Sequence, residues 1–147
     1  MPSWTAYVRD KRSPRPKNAA VSALMSRIRS TNTKPERELR SLLSAAGVRG
    51  YRLHHATTPG RPDIAFVGRR IAVFVHGCFW HSCPHCKRYA PKHNSRWWRD
   101  KLTANRERDA RKRRDLVRAG WKVLTIWECR LKEGPARELA RVVRALG

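Results

Sequence analysis

The sequence predicts an α/β fold in which one mixed β-sheet is covered by helices. Three apolar runs of strand length support this prediction, at residues 64–67, 71–75 and 122–127. Helical patterns of apolar residues separate and follow these runs, so strands and helices alternate along the chain. The 147 residues suit a single domain with a modest core. We find no internal repeat, and the predicted domain covers residues 21–147.

Charge narrows the function of this domain. The chain has 34 Lys and Arg residues against 11 Asp and Glu residues, which gives a net charge of +23. The basic residues are spread along the chain, and such a surface favours a polyanion as the partner. No apolar stretch approaches the ~20 residues of a membrane span, and the N-terminus lacks the apolar core of a secretory signal. We therefore expect a cytoplasmic protein that does not bind a membrane.

The N-terminal residues differ in character from the rest. Residues 1–20 are rich in proline and basic residues and have no apolar period, so they are predicted to form a flexible basic arm. Residues 21–28 follow with an apolar helical face that includes Met25 and Ile28. From spacing alone, we expect this face to pack into the core.

A helix is predicted between Thr33 and Gly47. Thr33 and Glu36 have the spacing of a capping box, four apolar residues form one face, and the glycine ends the pattern. Glu36 therefore has an adequate structural role before any chemistry is considered. A short strand at residues 51–55 and a turn at residues 57–62 are expected next.

The strongest strands are predicted to pair as a hairpin. Residues 64–67 and 71–75 are separated by a three-residue turn, so we expect them to form the central, antiparallel pair of the sheet. A long basic helix at residues 95–119 leads to the buried strand at residues 122–127, and an amphipathic helix follows Pro135. The order αβββαβα implies a mixed sheet with helices on its faces.

Cysteines cluster where the strand at residues 71–75 ends. The four cysteines are Cys78, Cys83, Cys86 and Cys129. If the strand at residues 122–127 is its parallel neighbour, all four thiolates converge at one edge of the sheet. In a reducing compartment such a cluster favours a closed, tetrahedral, structural Zn²⁺ site over disulfides. Two alternatives stay open here: the cysteines are buried without a ligand, or His85 replaces one thiolate.

An acidic residue marks a second site at the same edge. Residues 60–62 bring the carboxylate of Asp63 to the start of a strand, and the proline fixes the approach. This carboxylate can hold Mg²⁺ together with the backbone carbonyl of Val75 on the neighbouring strand. His76 and His81 follow that strand and could act as general base for an attacking water or stabilise a phosphate. The alternative is that Asp63 only forms a turn.

Two aromatic pairs flank these sites, namely Phe79 with Trp80 and Trp97 with Trp98. Aromatic side chains beside cationic groups can enter a base stack while the cations hold phosphates. Core packing is the alternative for any one of them. We expect at least one of Trp97 and Trp98 to be buried.

The motifs of residues 18–131 resemble those of the very short patch repair endonucleases. These enzymes nick DNA at mismatches and are related in fold to the PD-(D/E)-x-K nucleases. The matching motifs follow the family's order and lie at residues 25–30, 33–36, 59–63, 76–81, 98, 105–109, 120–121 and 127–129. The resemblance implies a restriction-endonuclease-like fold for the domain. It also implies a Mg²⁺-dependent cut 5′ of the thymine in a T:G mismatch, which arises when 5-methylcytosine is deaminated.

The resemblance also implies roles for individual residues at the reacting centre. Asp63 would bind Mg²⁺ with the carbonyl of Val75, and His81 would activate the attacking water. His76 and Glu36 would support this site. Glu36 would then have a second role beyond the capping box.

Five apolar side chains are expected to enter the DNA by the same resemblance. Phe79, Trp80 and Trp98 would intercalate from the major-groove side. Met25 and Ile28 would meet the minor groove. Part of the apolar face of the N-terminal helix would then contact DNA rather than the core.

The sequence departs from the family at two points, and it also differs from the PD-(D/E)-x-K enzymes in general. Val75 stands where threonine is usual, which preserves a carbonyl ligand but removes a hydroxyl. Cys83 stands where the family often has histidine, which moves the zinc site toward four cysteines. Residues 74–76 lack the second carboxylate and the lysine of PD-(D/E)-x-K enzymes, so histidine chemistry must replace lysine.

Two other functions remain compatible with the sequence. A non-catalytic, zinc-stabilised DNA-binding module would account for the charge, the aromatic residues and the cysteines. A restriction-type endonuclease on the same fold would cut both strands. We favour the nickase because aromatic wedges suit a mismatched duplex, which is easier to open. The expected protein is a monomer at the nucleoid, and the family implies a link to a cytosine-5 methyltransferase and to mismatch-repair factors.

Overall fold

The computed structural model describes residues 31–86 and 91–147. This part of the chain contains four α-helices, four strands and a short 3-10 helix at Val67–Arg69. The α-helices and strands are α1 (Lys34–Ala45), β1 (Arg52–Leu53), β2 (Ile64–Phe66), β3 (Ile71–His76), α2 (Ser95–Arg118), β4 (Lys122–Trp127), α3 (Glu128–Glu133) and α4 (Pro135–Leu146). The predicted basic arm at residues 1–20 and the predicted helix with Met25 and Ile28 lie outside the described residues.

The strands form one mixed sheet in the order β1-β2-β3-β4. The pairs β1-β2 and β2-β3 are antiparallel, whereas β3 and β4 are parallel, with Ile71 beside Lys122 and His76 beside Trp127. The predicted central hairpin and the predicted parallel pair are both confirmed. Because β2 runs against β3, the start of β2 lies at the same sheet edge as the ends of β3 and β4.

Helices cover both faces of the sheet. All six residues of β3 are buried, and successive side chains point to opposite faces. Val73 and Val75 belong to the larger core, which includes Leu39 of α1 and Val142 of α4. The smaller core, on the α2 side, consists of Ala72, Phe74, Leu116 and Val123, with Trp121 packed against it. Strand β3 is a continuous apolar run in the sequence because both of its faces are buried.

Helix α1 begins with the predicted capping interaction. The side chain of Thr33 accepts a hydrogen bond from the backbone N–H of Glu36 at 3.4 Å. The Glu36 carboxylate accepts one in turn from the backbone N–H of Asn32 at 2.9 Å. This second bond reaches one residue further back than in the usual capping box. Glu36 is only 3 % exposed, so the cap also carries a carboxylate into the interior.

Helix α2 is 24 residues long and basic, and it presents one inward stripe to the sheet. The buried residues of this helix are Trp98, Asn105 and Leu116. Asp109 lies four residues after Asn105 and seven before Leu116, so it shares their face. The helix ends at Arg118, and Gly120, two residues further on, has a φ of +86°. The stripe therefore carries one acidic side chain toward the end of β3.

Helix α3 differs from the sequence-based expectation, which left residues 128–133 without regular structure. It is only six residues long and follows β4 directly, and Gly134 separates it from α4. Cys129 lies in its first turn, and Leu131 is buried. In the described part of the chain, no helix is long and apolar enough to cross a membrane.

Candidate active site

Three clusters of polar side chains meet at the sheet edge where β2 begins and β3 and β4 end. The acidic group consists of Glu36, His54 and Asp63, and the histidine group consists of His76, His81 and Asp109. The third is the cysteine cluster, formed by Cys78, Cys83, Cys86 and Cys129. Within each cluster the possible ligand atoms lie within 4.8 Å of one another. Among the described residues, every catalytic or metal-binding residue predicted from the sequence except Val75 belongs to one of these clusters.

Asp63 is held at the start of β2 by the neighbouring strand. Its Oδ2 accepts a hydrogen bond from the backbone N–H of Val75 at 2.7 Å. Burial and the charge of Glu36 raise the pKa of Asp63 to about 7, against the hydrogen bond from Val75, which lowers it. A buried carboxylate with a raised pKa is stabilised in its charged form by a nearby cation. The site therefore has the electrostatic character of a cation site.

His54 connects the two carboxylates of the acidic group. Its Nε2 lies 3.3 Å from Glu36 Oε2, and its Nδ1 lies 3.7 Å from Asp63 Oδ1. Among the described residues, the buried Nε2 has no partner in hydrogen-bond alignment, although Glu36 lies close to it. This contact raises the pKa of His54 more than burial lowers it, and the charge of Asp63 raises it further. His54 therefore lies between two carboxylates that favour its protonated form.

Sequence reasoning did not select His54. The residue follows β1 with a positive φ of +47°, and its backbone N–H donates to the Asp63 carbonyl at 3.3 Å. The pairing of Leu53 with Ile64 places His54 opposite Asp63. The only local signal was a histidine before a turn, and the adjacent His55 gives the same signal. The cross-strand register distinguishes the two.

The histidine group is built around two stacked rings. His76 and His81 have ring centroids 3.9 Å apart and planes within 3° of parallel. His81 Nδ1 lies 2.6 Å from Asp109 Oδ2. Burial and the neighbouring charge of His81 lower the pKa of His76 to about 3, so this ring stays neutral near pH 7. The buried Nδ1 of His76 has no hydrogen-bond partner among the described residues.

Asp109 is the second residue whose role was not predicted. It lay within a motif at residues 105–109, but no function was assigned to it. Burial acts to raise the pKa of Asp109, yet the hydrogen bond and the charge of His81 outweigh it, so the pKa is lowered. The available signal was an acidic residue on the inward stripe of a basic helix. A carboxylate at Nδ1 favours a ring that keeps a lone pair on Nε2, which can accept a proton.

The aromatic residues form one packed cluster beside the histidine group. The centroid of Phe79 lies 5.1 Å from that of Trp80 and 5.4 Å from that of Trp98. Trp98 is 8 % exposed and Trp97 is partly exposed, so the expectation that one of them is buried is confirmed. Asn105 donates to the Trp80 carbonyl at 3.1 Å and ties the cluster to α2. Phe79 and Trp80 are thus the partly exposed members that rest on a buried Trp98.

The cysteine cluster joins the loop after β3 to helix α3. None of the four cysteines forms a disulfide. Cys83 Sγ lies 3.6 Å from Cys129 Sγ, and the backbone N–H of Cys129 donates to Cys78 Sγ at 3.3 Å. Burial acts to raise the pKa of Cys83, but the backbone N–H groups of Cys86 and His85 outweigh it, so the thiolate form is favoured. The four sulfurs can hold a soft or borderline metal ion.

His85 lies beside the cysteine cluster but is not one of its members. Its ring Nδ1 lies 3.2 Å from Arg130 Nη2. Its backbone N–H donates to Cys83 Sγ at 3.3 Å. The main chain of His85 therefore supports the cluster, while its ring contacts an arginine of α3. Of the two ligand sets left open by the sequence, the structure brings the four cysteines together.

Known proteins resemble this chain over most of its length. The family described as DNA mismatch endonuclease Vsr matches residues 16–88. The type II nicking enzyme V.XorIIP of Xanthomonas oryzae is 46 % identical over 115 residues, which are 78 % of this chain and 84 % of the relative. The type II nicking enzyme V.NmeAIP of Neisseria meningitidis is 42 % identical over 129 residues, which are 85 % and 90 %.

A third relative connects the two descriptions. The DNA mismatch endonuclease Vsr of Escherichia coli is 39 % identical over 115 residues, which are 78 % of this chain and 72 % of the relative. The matched region includes the strands that carry Asp63 and His76. Family membership also sets aside the non-catalytic DNA-binding module as an interpretation. The chain belongs to the DNA mismatch endonuclease Vsr family, and it is a DNA endonuclease.

Proposed function

We propose that the protein nicks double-stranded DNA 5′ of the thymine in a T:G mismatch, in a Mg²⁺-dependent reaction. The observation that carries this proposal is the meeting of Asp63 with the His81–Asp109 pair at one sheet edge. The two lie close enough for the charge of His81 to act on the pKa of Asp63. The names of the relatives support it, since one is called a mismatch endonuclease and others nicking enzymes.

The residues of the acidic group fit a hard divalent cation. Mg²⁺ prefers oxygen ligands and is usually held by one or two carboxylates and water. Asp63 and the Val75 carbonyl would hold the ion. The negative charge of Glu36, which acts on Asp63, would also favour a cation at this position. When bound, Mg²⁺ supplies the positive charge that stabilises a phosphate and acidifies a water. The raised pKa of Asp63 supports this assignment independently of any resemblance.

His81 is the proposed general base. Asp109 accepts a hydrogen bond from the Nδ1–H of His81 and thereby fixes the ring, which leaves Nε2 to take a proton from the attacking water. His76 stacks on His81 and, with its lowered pKa, adds no competing charge. The ionised Asp109 then stabilises the imidazolium that forms. A histidine base in this position replaces the lysine that residues 74–76 lack.

Phe79 and Trp80 are the proposed wedge that opens the duplex. They are partly exposed, and they lie in the loop that also carries His81. Insertion between base pairs costs less where pairing is already imperfect, which favours a mismatch over a matched site. Trp98 would join them once the aromatic cluster loosens. Met25 and Ile28 remain the predicted contacts from the other groove.

The proposed role of the cysteine cluster is to bind one structural Zn²⁺. Four sulfurs about 2.3 Å from a tetrahedral Zn²⁺ lie about 3.8 Å from one another. The distance of 3.6 Å between Cys83 and Cys129 matches this geometry. The ion would tie α3 to the loop that carries the wedge and His81. Residues 77–86 of this loop form neither helix nor strand, so a bound metal would fix their conformation.

Metal analysis tests the zinc assignment. The purified protein should contain one zinc per chain, and chelation should lower its stability by about 2.7–4.1 kcal/mol, the gain from an ion at 100 to 1,000 times its Kd. Cys86→Ser should lose the ion, whereas His85→Ala should keep it. Loss of zinc from His85→Ala would make the histidine a ligand, and a zinc-free wild type with an unchanged unfolding transition would exclude the structural metal.

The partners follow from the proposed substrate. A cytosine-5 methyltransferase produces the base whose deamination gives the mismatch, so we infer a functional link to such an enzyme and to mismatch-repair factors. All residues of the three clusters come from one chain, which favours a monomer as the active form. DNA as the substrate favours a position at the nucleoid in the cytoplasm.

Cleavage of end-labelled duplexes tests the proposed function. Two duplexes differ only by T:G or C:G at one site of cytosine methylation, and each is incubated with Mg²⁺ or with EDTA. A Mg²⁺-dependent nick confined to the thymine strand of the mismatched duplex is expected. Cleavage of both strands of both duplexes would identify a restriction-type enzyme instead. A cut in EDTA would contradict the Mg²⁺ assignment.

A further inference from the structure

A cationic groove lies over the edge strand β4, next to the candidate active site. Four arginines line this arginine groove: Arg113 of α2, Arg130 of α3, and Arg137 and Arg141 of α4. We propose that the arginine groove binds backbone phosphates of the substrate DNA close to the cleaved bond. This inference rests on the proposed function, because it requires DNA to be held at the histidine group.

The groove is continuous with the cavity of the histidine group. That cavity has a volume of about 220 Å³ and is lined by His76, His81 and Asp109. The arginine groove has a volume of about 420 Å³. The two share four lining residues, Arg113, Val123, Thr125 and Trp127. A DNA backbone that leaves the histidine group can therefore continue over β4 into the groove.

Trp127 lies at the junction of the two cavities. Its ring centroid is 5.1 Å from that of His76 and 6.3 Å from that of His85. These T-shaped contacts join the end of β4 both to the histidine group and to the loop of the cysteine cluster. The floor of the groove is thus attached to the same elements that hold the candidate catalytic residues.

The charges in the groove favour an anion. Among the described residues that line it, Glu138 is the only acid, against four arginines. Glu138 is 3 % exposed and is 2.7 Å from Arg141 Nη1 and 3.8 Å from Arg137 Nε. Arg141 also donates to the Thr125 carbonyl at 3.1 Å. The Glu138–Arg141 ion pair is therefore held in place by its contacts. Four arginines against one glutamate leave the lining of the groove with a net charge of +3.

Backbone phosphates match this arrangement better than an isolated small anion does. The arginines come from three different helices and line an open groove of about 420 Å³. A guanidinium group can bind a phosphate through two parallel hydrogen bonds. A row of such groups fits a ligand that repeats the same charge along its length. The high net charge of +23 gives the whole protein the same preference.

The salt dependence of DNA binding tests the groove. The double variant Arg113→Gln/Arg137→Gln removes two groove cations and leaves the Glu138–Arg141 pair in place. The matched control, Arg118→Gln/Arg144→Gln, removes the same charge from exposed positions of α2 and α4 that line neither cavity. Binding to a labelled duplex is measured in EDTA over a range of salt concentrations. This readout does not depend on cleavage.

The groove variant should lower the slope of log affinity against log salt by about 1.8, the value for two lost phosphate contacts. Matched and mismatched duplexes should be affected alike, since phosphate contacts carry no sequence information. The control variant should keep a slope near that of the wild type. Equal slopes for both double variants would overturn the proposal, because a general loss of charge would then explain the effect.

DNA in which single phosphates are replaced by uncharged groups can show which phosphates contact the arginine groove. Methylphosphonates are placed one at a time along both strands, and the affinity of each duplex is measured for the wild type and the groove variant. Near the cut, at least one position should weaken the wild type and leave the groove variant unchanged. The absence of any such position would overturn the proposal. Failure of the proposed function is distinct, since the wild type would then bind DNA without a mismatch-dependent nick.

Discussion

The acidic group and the histidine group use the same side-chain types in opposite ratios. The acidic group places one histidine between two carboxylates, whereas the histidine group places one carboxylate against two histidines. The pKa values of the two groups move in opposite directions, and burial is the largest cause for both Asp63 and His76. Asp63 and His54 have raised pKa values, whereas Asp109 and His76 have lowered ones. The first group thus favours an added positive charge, and the second keeps neutral histidine beside an ionised acid.

One strand end separates these two environments. The backbone N–H of Val75 binds Asp63, and the next residue along β3 is His76, whose ring belongs to the histidine group. Successive residues of a strand point to opposite faces, so a step of one residue changes the surroundings completely. The antiparallel entry of β2 and the parallel exit of β4 place both groups at the same sheet edge. We therefore expect substitutions in the acidic group and in the histidine group to affect cleavage and the Mg²⁺ requirement differently.

Loss of the Asp63 charge should have the largest effect. Asp63→Asn keeps the side-chain shape but removes the anion proposed to bind Mg²⁺, so cleavage should fall by at least about 10³-fold, or about 4 kcal/mol. DNA affinity in EDTA should stay within about threefold, since phosphate contacts elsewhere dominate binding. Single-turnover cleavage and a binding titration measure the two quantities.

The exposed Asp100→Asn variant is the control for Asp63→Asn, because it makes the same chemical change away from both groups. It should cleave as fast as the wild type. Retention of cleavage by Asp63→Asn would contradict the assignment of Asp63 as a metal ligand. The difference in character between the two groups would then carry no catalytic meaning.

Asp109→Asn should have the next largest effect, a loss of about 10²-fold in the cleavage rate. The amide removes the charge that stabilises the imidazolium of His81, and it can favour the wrong ring tautomer. The Mg²⁺ concentration for half-maximal rate should hardly change, since the acidic group is intact. Asp115→Asn, on an exposed position of the same helix, is the matched control. A changed Mg²⁺ requirement in Asp109→Asn would mean that the two groups act as one.

His54→Asn should have a smaller effect, and in contrast to Asp109→Asn it should change the Mg²⁺ requirement rather than the maximal rate. Asparagine tolerates the positive φ of +47° at this position, so the backbone is preserved while the link between Glu36 and Asp63 is lost. Residues that orient metal ligands typically contribute about 10-fold to 100-fold in metal affinity. The half-maximal Mg²⁺ concentration should therefore rise about 10-fold, with a recovered rate at high Mg²⁺.

His55→Asn is a close control for His54, because His55 is the adjacent residue and its Nδ1 instead contacts Thr58 at 2.9 Å. It should leave the Mg²⁺ requirement unchanged. If His54→Asn lowers the rate equally at every Mg²⁺ concentration, His54 does not position the metal ligands.

Much of the fold could be predicted because its signals are local. The apolar runs of β2 and β3 are separated by a short turn, and the N-cap partners of α1, Thr33 and Glu36, are three residues apart. The parallel pairing of β3 with β4 was the condition under which the four cysteines converge, and the long helix between the two strands permits it. Helix α3 was missed because its six residues are too few for a helical period to appear.

The candidate site was predicted in part for the same reason. Asp63 directly precedes β2, His76 ends β3 and His81 lies in the loop that follows β3. Such strand ends are visible in the sequence. His54 was missed because its importance depends on the register of β1 against β2, and β1 has only two residues. The pairing of Asp109 with His81 joins residues 28 positions apart across a sheet edge. Spacing alone does not encode such a contact.

The smallest expected effect concerns pH and stability. The folded protein holds the pKa of His76 at about 3, below the ordinary value of 6.5. Below about pH 6.5, His76 is protonated in the unfolded chain but stays neutral in the folded protein. Acidification therefore favours unfolding. Between pH 7 and pH 5.5 this residue should cost the wild type about 1.3 kcal/mol relative to His76→Gln. Urea unfolding of both proteins at the two pH values measures the difference.

Asp63 should act with the opposite sign. Its pKa of about 7 lies above the ordinary value of 3.8, so the folded protein binds the extra proton and acidification favours folding. The wild type alone should therefore show a weak pH dependence, because the two groups oppose each other. Asp63 and the cysteine cluster are present in both proteins, so their contributions cancel when the wild type is compared with His76→Gln. If the two proteins show the same change between pH 7 and pH 5.5, the neutral state of buried His76 is wrong, and the contrast between the two groups is lost with it.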